Sequence, residues 1–226
     1  MEKTQTKTAE SPIPRWLGFL GIAIGLWWLL TVYNTVTLPN VASLKETPPV
    51  MTTFMRHATP ARIHYHWVPR SAIAPALQRA VIVAEDDQFY HHPGFDWGAI
   101  KRAIEINWRR RRLAFGASTI TQQLAKNLFL SPHKTPLRKI QEFLIALRLE
   151  QELSKDRILE LYLNVVEWGE GIYGAEAASQ HYFHRSAKTL TASQAAFLAS
   201  ILPNPRRYGP RGYRLTPRAL SILRRM

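Results

Sequence analysis

From Trp16 to Val36 the chain reads WLGFLGIAIGLWWLLTVYNTV, about 21 residues without a charged side chain. A helix of that length, rising about 1.5 Å per residue, is roughly 31 Å long, the thickness of a bilayer's hydrocarbon layer. The first expectation is therefore a transmembrane anchor over 16–36. A secretory signal is the competitor, but its apolar region is shorter, about 7–15 residues, and ends at small residues. This run ends in Tyr33, Asn34 and Thr35. Trp16 stands at one edge and Trp27, Trp28 and Tyr33 toward the other, as aromatic rings do at membrane interfaces. Lys3, Lys7 and Arg15 precede the run and Lys45 is the first basic residue after it, which puts segment 1–15 in the cytoplasm and the rest outside it.

Residues 37–62 contain Pro39, Pro48, Pro49 and Pro60 with little periodicity and read as a linker or an irregular approach to the domain. The remainder, 63–226, repeats apolar residues at helical spacing: Leu77, Val81 and Ala84, then Ile100, Ala103, Ile104 and Trp108, then Leu137, Ile140, Leu144 and Leu147. Thr119 with Gln122 and Thr191 with Gln194 have capping-box spacing, and Thr135-Pro136 and Thr216-Pro217 set a cap before a first-turn proline. The expectation is a mostly α domain, with at most a brief strand around 62–68 and no internal repeat. A composition of 46 % hydrophobic and 20 % charged residues excludes a disordered chain and a multi-span membrane protein. The absence of cysteine excludes thiol nucleophiles, thiolate metal sites and disulfides. The net charge of +14 predicts attraction to phosphate-bearing partners without choosing among nucleic acid, anionic lipid and pyrophosphate.

Several apparent motifs lack their context. Gly169, Gly171 and Gly174 spell G-x-G-x-x-G, but the segment before them is helical in pattern and no acid follows Glu176 to hold a ribose. Ser131 and Lys134 match S-x-x-K without the K-T-G that acyl transfer needs, and read as a loop. His91 and His92 with Asp86 and Asp87 fit no zinc spacing. The Arg109–Arg112 run and the arginines after Pro205 read as a solvated face near anionic lipid.

Carboxylates are the remaining candidates for acid–base chemistry. In VIVAEDDQFYHHPGFD, 81–96, an apolar helical face runs into Glu85, Asp86 and Asp87, with at least one acid expected where the helix meets the core and the others facing water. Burial and like-charged neighbours both raise a carboxylate's proton affinity, although a solvated acidic helix end fits the same residues. In GASTITQQLAKNLFL, 116–130, Gln123, Lys126 and Asn127 lie close to one helix face, able to hold a polar ligand or phosphate, or simply to meet solvent. Arg138 and Glu142 stand one above the other at i and i+4, alone most often a surface ion pair, but taken with a cationic cleft and Glu85 a candidate phosphate clamp and second acid.

These segments, with RKIQE, SKDRILELYLN, EGIYGAEAASQHYF and ASQAAFLASILPNP in this order over about 70–208, resemble the peptidoglycan glycosyltransferase family (glycosyltransferase family 51), in its monofunctional biosynthetic transglycosylase branch. The resemblance implies a lysozyme-like, mostly α fold behind a single anchor in the bacterial cytoplasmic membrane, working on its outer, periplasmic side. The implied reaction polymerises lipid II into β-1,4-linked glycan strands by inverting displacement of undecaprenyl pyrophosphate. Glu85 then matches the base that takes the proton of the acceptor's 4-hydroxyl, and Glu142 a second glutamate beside the pyrophosphate. Lys126, Arg138 and Arg102 match positions that neutralise the pyrophosphate. Asp86, Phe89, His92, Ser118, Thr119, Gln123 and Asn127 match positions that shape the two sugar subsites. No tightly bound cofactor is implied; a divalent cation, magnesium or manganese, is a candidate companion of the pyrophosphate. Beyond lipid II, the growing strand and the membrane, penicillin-binding transpeptidases and division proteins are candidate partners, and nucleic acid is not expected.

Three other readings compete. A lytic glycosidase of the same fold also uses a glutamate acid, but has no need of Lys126 and Arg138 in its site. A non-catalytic cell-wall scaffold leaves Glu85 and Glu142 without purpose. An anchored nucleic-acid binder predicts salt-dependent DNA affinity indifferent to Glu85→Gln.

Overall fold

The computed structural model describes residues 15–58, 63–111, 118–133 and 135–226, with side chains left aside at 15, 17, 32–37 and 110. The chain divides into two units, Met1–Leu38 and Pro39–Met226. The first contains helix α1, Arg15–Thr37, whose described side chains from Trp16 to Thr31 are all exposed. Among the described residues no helix is long and apolar enough to cross a membrane. The expected anchor continues through 32–36, whose side chains lie outside the described residues, as does the segment before Arg15.

The second unit is mostly helical, in the order α2 Thr53–Arg56, β1 His64–Tyr65, α3 Pro75–Glu85, α4 Trp97–Arg110, α5 Ile120–Phe129, α6 Pro136–Glu152 and α7 Lys155–Val165. It continues with β2 Glu167–Gly169, β3 Ile172–Tyr173, α8 Ala175–Phe183, α9 Ala192–Ile201, α10 Pro205–Tyr208 and α11 Pro217–Arg225. The starts follow local chemistry. Thr119 and Thr191 form reciprocal capping boxes with Gln122 and Gln194, and Thr135 and Thr216 cap helices whose first turn carries proline, as the sequence predicts. α9 is apolar almost all round, and every residue from Ala195 to Ile201 is buried, so it is the central helix. α3 and α11 pack on it, while α5 lies against α2, α6 and α7. α3 turns Leu77, Ala80 and Val81 inward at i, i+3 and i+4, each fully buried.

The brief strand around 62–68 exists as β1, paired parallel to β3, which pairs antiparallel with β2. The three glycines serve this sheet rather than a nucleotide. Gly169 ends β2, Gly171 turns the hairpin at φ 73°, and Gly174 starts α8 at φ 86°. A Cβ on Gly174 would stand 2.5 Å from the Asn164 carbonyl oxygen at the end of α7. Gly174→Ala should therefore cost about 2–4 kcal/mol, read as a Tm roughly 5–15 °C lower. Gly212, also at positive φ but in open space, isolates the backbone cost. Equal losses in Gly174→Ala and Gly212→Ala would show that the carbonyl contact does not matter.

Of the two readings of 37–62, packing favours the irregular approach to the domain over a free linker: Val41, Leu44 and Met55 are buried, Arg157 Nε donates to the Leu44 carbonyl at 2.7 Å, and α2 packs on α5. Residues 59–62 of it lie outside the described residues. The helical spacing in 97–110 and 136–152 is right, but part of the apolar face is not core. Trp97, Ile104 and Trp108 on α4 and Leu137 and Ile140 on α6 are all more than half exposed. Periodicity reports that a helix has an apolar face, not what covers it. Of the arginine run, Arg112 and the Arg110 side chain lie outside the described residues, as does Lys134 of the S-x-x-K pattern.

Candidate active site

The three consecutive acids have three different fates. Glu85 is the last residue of α3, and its side chain is 11 % exposed. Asp86 leaves the helix and turns inward, 3 % exposed, while Asp87 faces water at 51 %. At least one acid is expected at the core, and two turn away from water, because the chain leaves helical geometry at Asp86 and sends its side chain under the start of α5. One Asp86 oxygen accepts the Ile120 N–H at 3.0 Å, at the positive end of α5, and the other meets His92 Nε2 at 2.8 Å. Burial raises the Asp86 pKa, and those two hydrogen bonds and Lys155 oppose the rise. Asp86 thus clamps the end of α3 to the start of α5, where Thr119 also donates to the Gly94 carbonyl at 2.6 Å.

Glu85 keeps its carboxylate toward the cleft. Gln123 Nε2 donates to Oε2 at 2.9 Å, and Arg218 approaches Oε1 at 3.3 Å. Burial pushes the Glu85 pKa up; Gln123, Arg218 and Lys126 pull it back, and the Asp86 charge adds to the rise. A cavity of about 240 Å³ adjoins it, lined by Glu85, Asp86, Asp87, Asp96, Ser118, Thr119 and Arg225 among others. Arg102, 63 % exposed, stands at its margin on Asp96 at 3.4 Å.

A second cluster is built on α6. Glu142, only 3 % exposed, pairs with Arg138 at 2.9 Å and also with Lys139, which in turn donates to Ser118 Oγ at 3.1 Å. Of the two readings of the Arg138–Glu142 pair, an exposed ion pair does not hold: the Glu142 end is buried and Arg138 is largely covered. Arg138 Nε is buried without an acceptor among the described residues. Lys126 of α5, resting over the Phe54 ring at 5.6 Å, joins the two clusters. Burial lowers its pKa; Glu142 and Glu85 both raise it, and Arg138 and Lys139 lower it. One half-buried ammonium thus feels both carboxylates, and Ser118 both lines the Glu85 cavity and receives Lys139.

The other expected residues lie behind this surface. Phe89 is fully buried beneath Lys155, whose ammonium is 4.6 Å from the ring centre, and His92 and Asn127 are buried. Lys139, Arg218, Arg225 and Tyr162 were not legible as site residues. Lys139 carried a signal, standing three residues before Glu142 on the same face; Arg218 carried none, being 133 positions from Glu85. The arginines after Pro205 are not only a solvated face: Arg218 pairs with Glu85, Arg225 with Asp87 and Arg206 with Glu167. Among the described residues no group of three or more His, Asp or Glu side chains gathers as a metal site.

A family model described as "Transglycosylase" matches residues 52–226. The chain is 48 % identical to a biosynthetic peptidoglycan transglycosylase of Azoarcus sp. (strain BH72), over 87 % of this chain and 90 % of that protein. It is 45 % identical to one of Nitrosomonas eutropha, over 99 % and 94 %, and 46 % identical to one of Thiobacillus denitrificans, over 93 % and 94 %.

Proposed function

We propose a reaction scheme on the premise that the chain belongs to the transglycosylase family and is a peptidoglycan glycosyltransferase of the bacterial cell envelope. Its donor is lipid II, a disaccharide-peptide on undecaprenyl pyrophosphate, and its acceptor the 4-hydroxyl of a sugar. Glu85 takes the hydroxyl proton as the oxygen attacks the donor's anomeric carbon. The new C–O bond forms as the bond to the pyrophosphate breaks, with inversion, and the electron pair leaves on the pyrophosphate oxygen. Lys126, Arg138 and Lys139 receive the developing charge, and for Arg138 and Lys139 this stabilisation needs no reorganisation because Glu142 already holds them in place.

The observation that carries this reading is Ser118, which lines the cavity beside Glu85 and accepts from Lys139 of the Glu142 cluster, so the base and the cations adjoin one another. A glycosidase has a use for the base and none for the cluster. The orphaned Arg138 N–H supports it further, since an unmet buried donor costs about 1–3 kcal/mol until a ligand oxygen meets it. A protein-held magnesium or manganese ion does not fit these donors, because Glu142 is already engaged by two cations. Such an ion belongs with the pyrophosphate's own oxygens, and no step of the scheme runs through it.

Helix α1 serves as the single-pass anchor, with its N-terminus in the cytoplasm and the catalytic unit outside, where lipid II is met. The run of apolar residues from Trp16 and the exposed Trp97, Ile104 and Trp108 face on α4 support a membrane-bound enzyme that also touches the surface. Transpeptidases that cross-link the product strands are its proposed partners. The test is to give the detergent-solubilised full chain fluorescent lipid II and separate products by size. A ladder of polymers is expected; untouched lipid II with shortened preformed strands would establish the lytic reading instead. Alkaline carbonate extraction of membranes should leave the chain in the pellet, and its release would dismiss the anchor.

A further inference from the structure

We propose that Tyr162 is a positioning residue that sets the basicity of Glu85, by fixing which end of the Gln123 amide faces the carboxylate. Tyr162 lies on α7, fully buried, 39 positions from Gln123. Its hydroxyl donates to Gln123 Oε1 at 2.9 Å, and the other end of the same amide, Nε2, donates to Glu85 Oε2 at 2.9 Å. The three groups form a line from the core to the cleft.

The two ends of a glutamine amide differ little in shape and are told apart by their partners. Left to itself, Gln123 could turn over and set Oε1 against Glu85. Two acceptors would then face each other, and only the protonated acid could donate across the gap. The phenol prevents this. Burial, with the charges of Glu85 and Asp86, pushes the Tyr162 pKa well above its ordinary value, so the group stays a neutral O–H donor. A flipped amide would take away the acceptor that the described residues offer that buried proton, a second loss added to the first. The hydroxyl therefore holds the amide in the orientation that favours ionised Glu85, without touching substrate.

The inference rests on Glu85 being the base, and the experiment separates the two claims. Tyr162→Phe keeps the ring and removes only the hydroxyl. In the substrate-free full chain, selectively ¹³C-labelled glutamate allows the Glu85 carboxyl, assigned by its loss in Glu85→Gln, to be titrated directly. Tyr162→Phe should raise its midpoint by about one pH unit, a tenfold change in proton affinity. The acid limb of kcat/KM for lipid II should move up by the same amount, about tenfold loss on that limb with near wild-type rates at the alkaline end. Gln123→Leu should shift the midpoint likewise, and adding Tyr162→Phe to it should shift nothing more.

An unmoved midpoint in folded Tyr162→Phe overturns the proposal, as does a loss of rate that is equal at every pH, which is what mere structural damage would give. If Tyr162→Phe fails to fold, an unmoved midpoint in Gln123→Leu overturns it equally. A shifted midpoint that the kinetic limb does not follow upholds the positioning role and refutes Glu85 as the base.

Discussion

Glu85→Gln should abolish glycan polymerisation, with kcat/KM for lipid II falling by about 10³-fold, within the 10²–10⁴ that a positioned general base supplies. Glutamine has the shape of glutamate, and its one amide oxygen can still accept from Gln123 while the weaker Arg218 contact is given up, so the loss reports chemistry rather than collapse. The pH dependence of the wild type belongs to the same expectation. Glu85 works only when ionised, and burial raises its pKa, so activity should fail as pH drops through a value above the ordinary carboxylate range. Stability has the opposite sign. A carboxyl whose folded pKa lies above its unfolded one stabilises the fold when protonated and loses that contribution as pH rises. Glu85→Gln should thus melt at the wild-type temperature in acid and at or above it near neutrality. Retention of more than about a tenth of the activity would rule Glu85 out as the base, since even the low end of the general-base contribution is 10².

Lys126→Met should lower kcat by about 10²–10³, the cost of removing one charge-stabilising donor from a water-poor site. Methionine retains the length of the side chain and its contact with Phe54. The ammonium is already partly desolvated in the resting enzyme, at a cost visible in its lowered pKa. Its full interaction is realised when charge gathers on the departing pyrophosphate, so the loss should appear in kcat more than in KM. Arg138 and Lys139 remain and keep Glu142 paired, so the fold should not be at risk. A change confined to KM would mean that Lys126 merely binds the donor. A polymerase defect together with unimpaired cutting of preformed strands would revive the glycosidase.

The exposed aromatic and aliphatic residues of α4 and α6 show what patterning leaves open. Ile104 and Trp108 recur at the same spacing as Leu77 and Val81, yet the first pair is exposed and the second fully buried. Spacing decides that a helix has two faces; whether another helix covers the apolar one depends on where the rest of the chain runs. The acids behave alike. Glu85, Asp86 and Asp87 are consecutive in sequence, but one faces the cleft, one caps α5 and one faces water.

What the sequence determined by itself was the chemistry within a turn or two. Thr119, Thr135, Thr191 and Thr216 announced helix starts because a cap and the amides it satisfies lie within three residues. The pairing of Arg138 with Glu142 is local too, because four residues make one turn, and the order of the motif blocks marks the family. Only the tertiary structure decided that Glu142 is buried, that Lys126 feels both carboxylates, and that Arg218 and the Tyr162–Gln123 pair converge on Glu85. Those contacts join residues dozens of positions apart. Their energies depend on burial, which is a property of the packed faces and of the water they exclude, and no short stretch of chain carries that information alone.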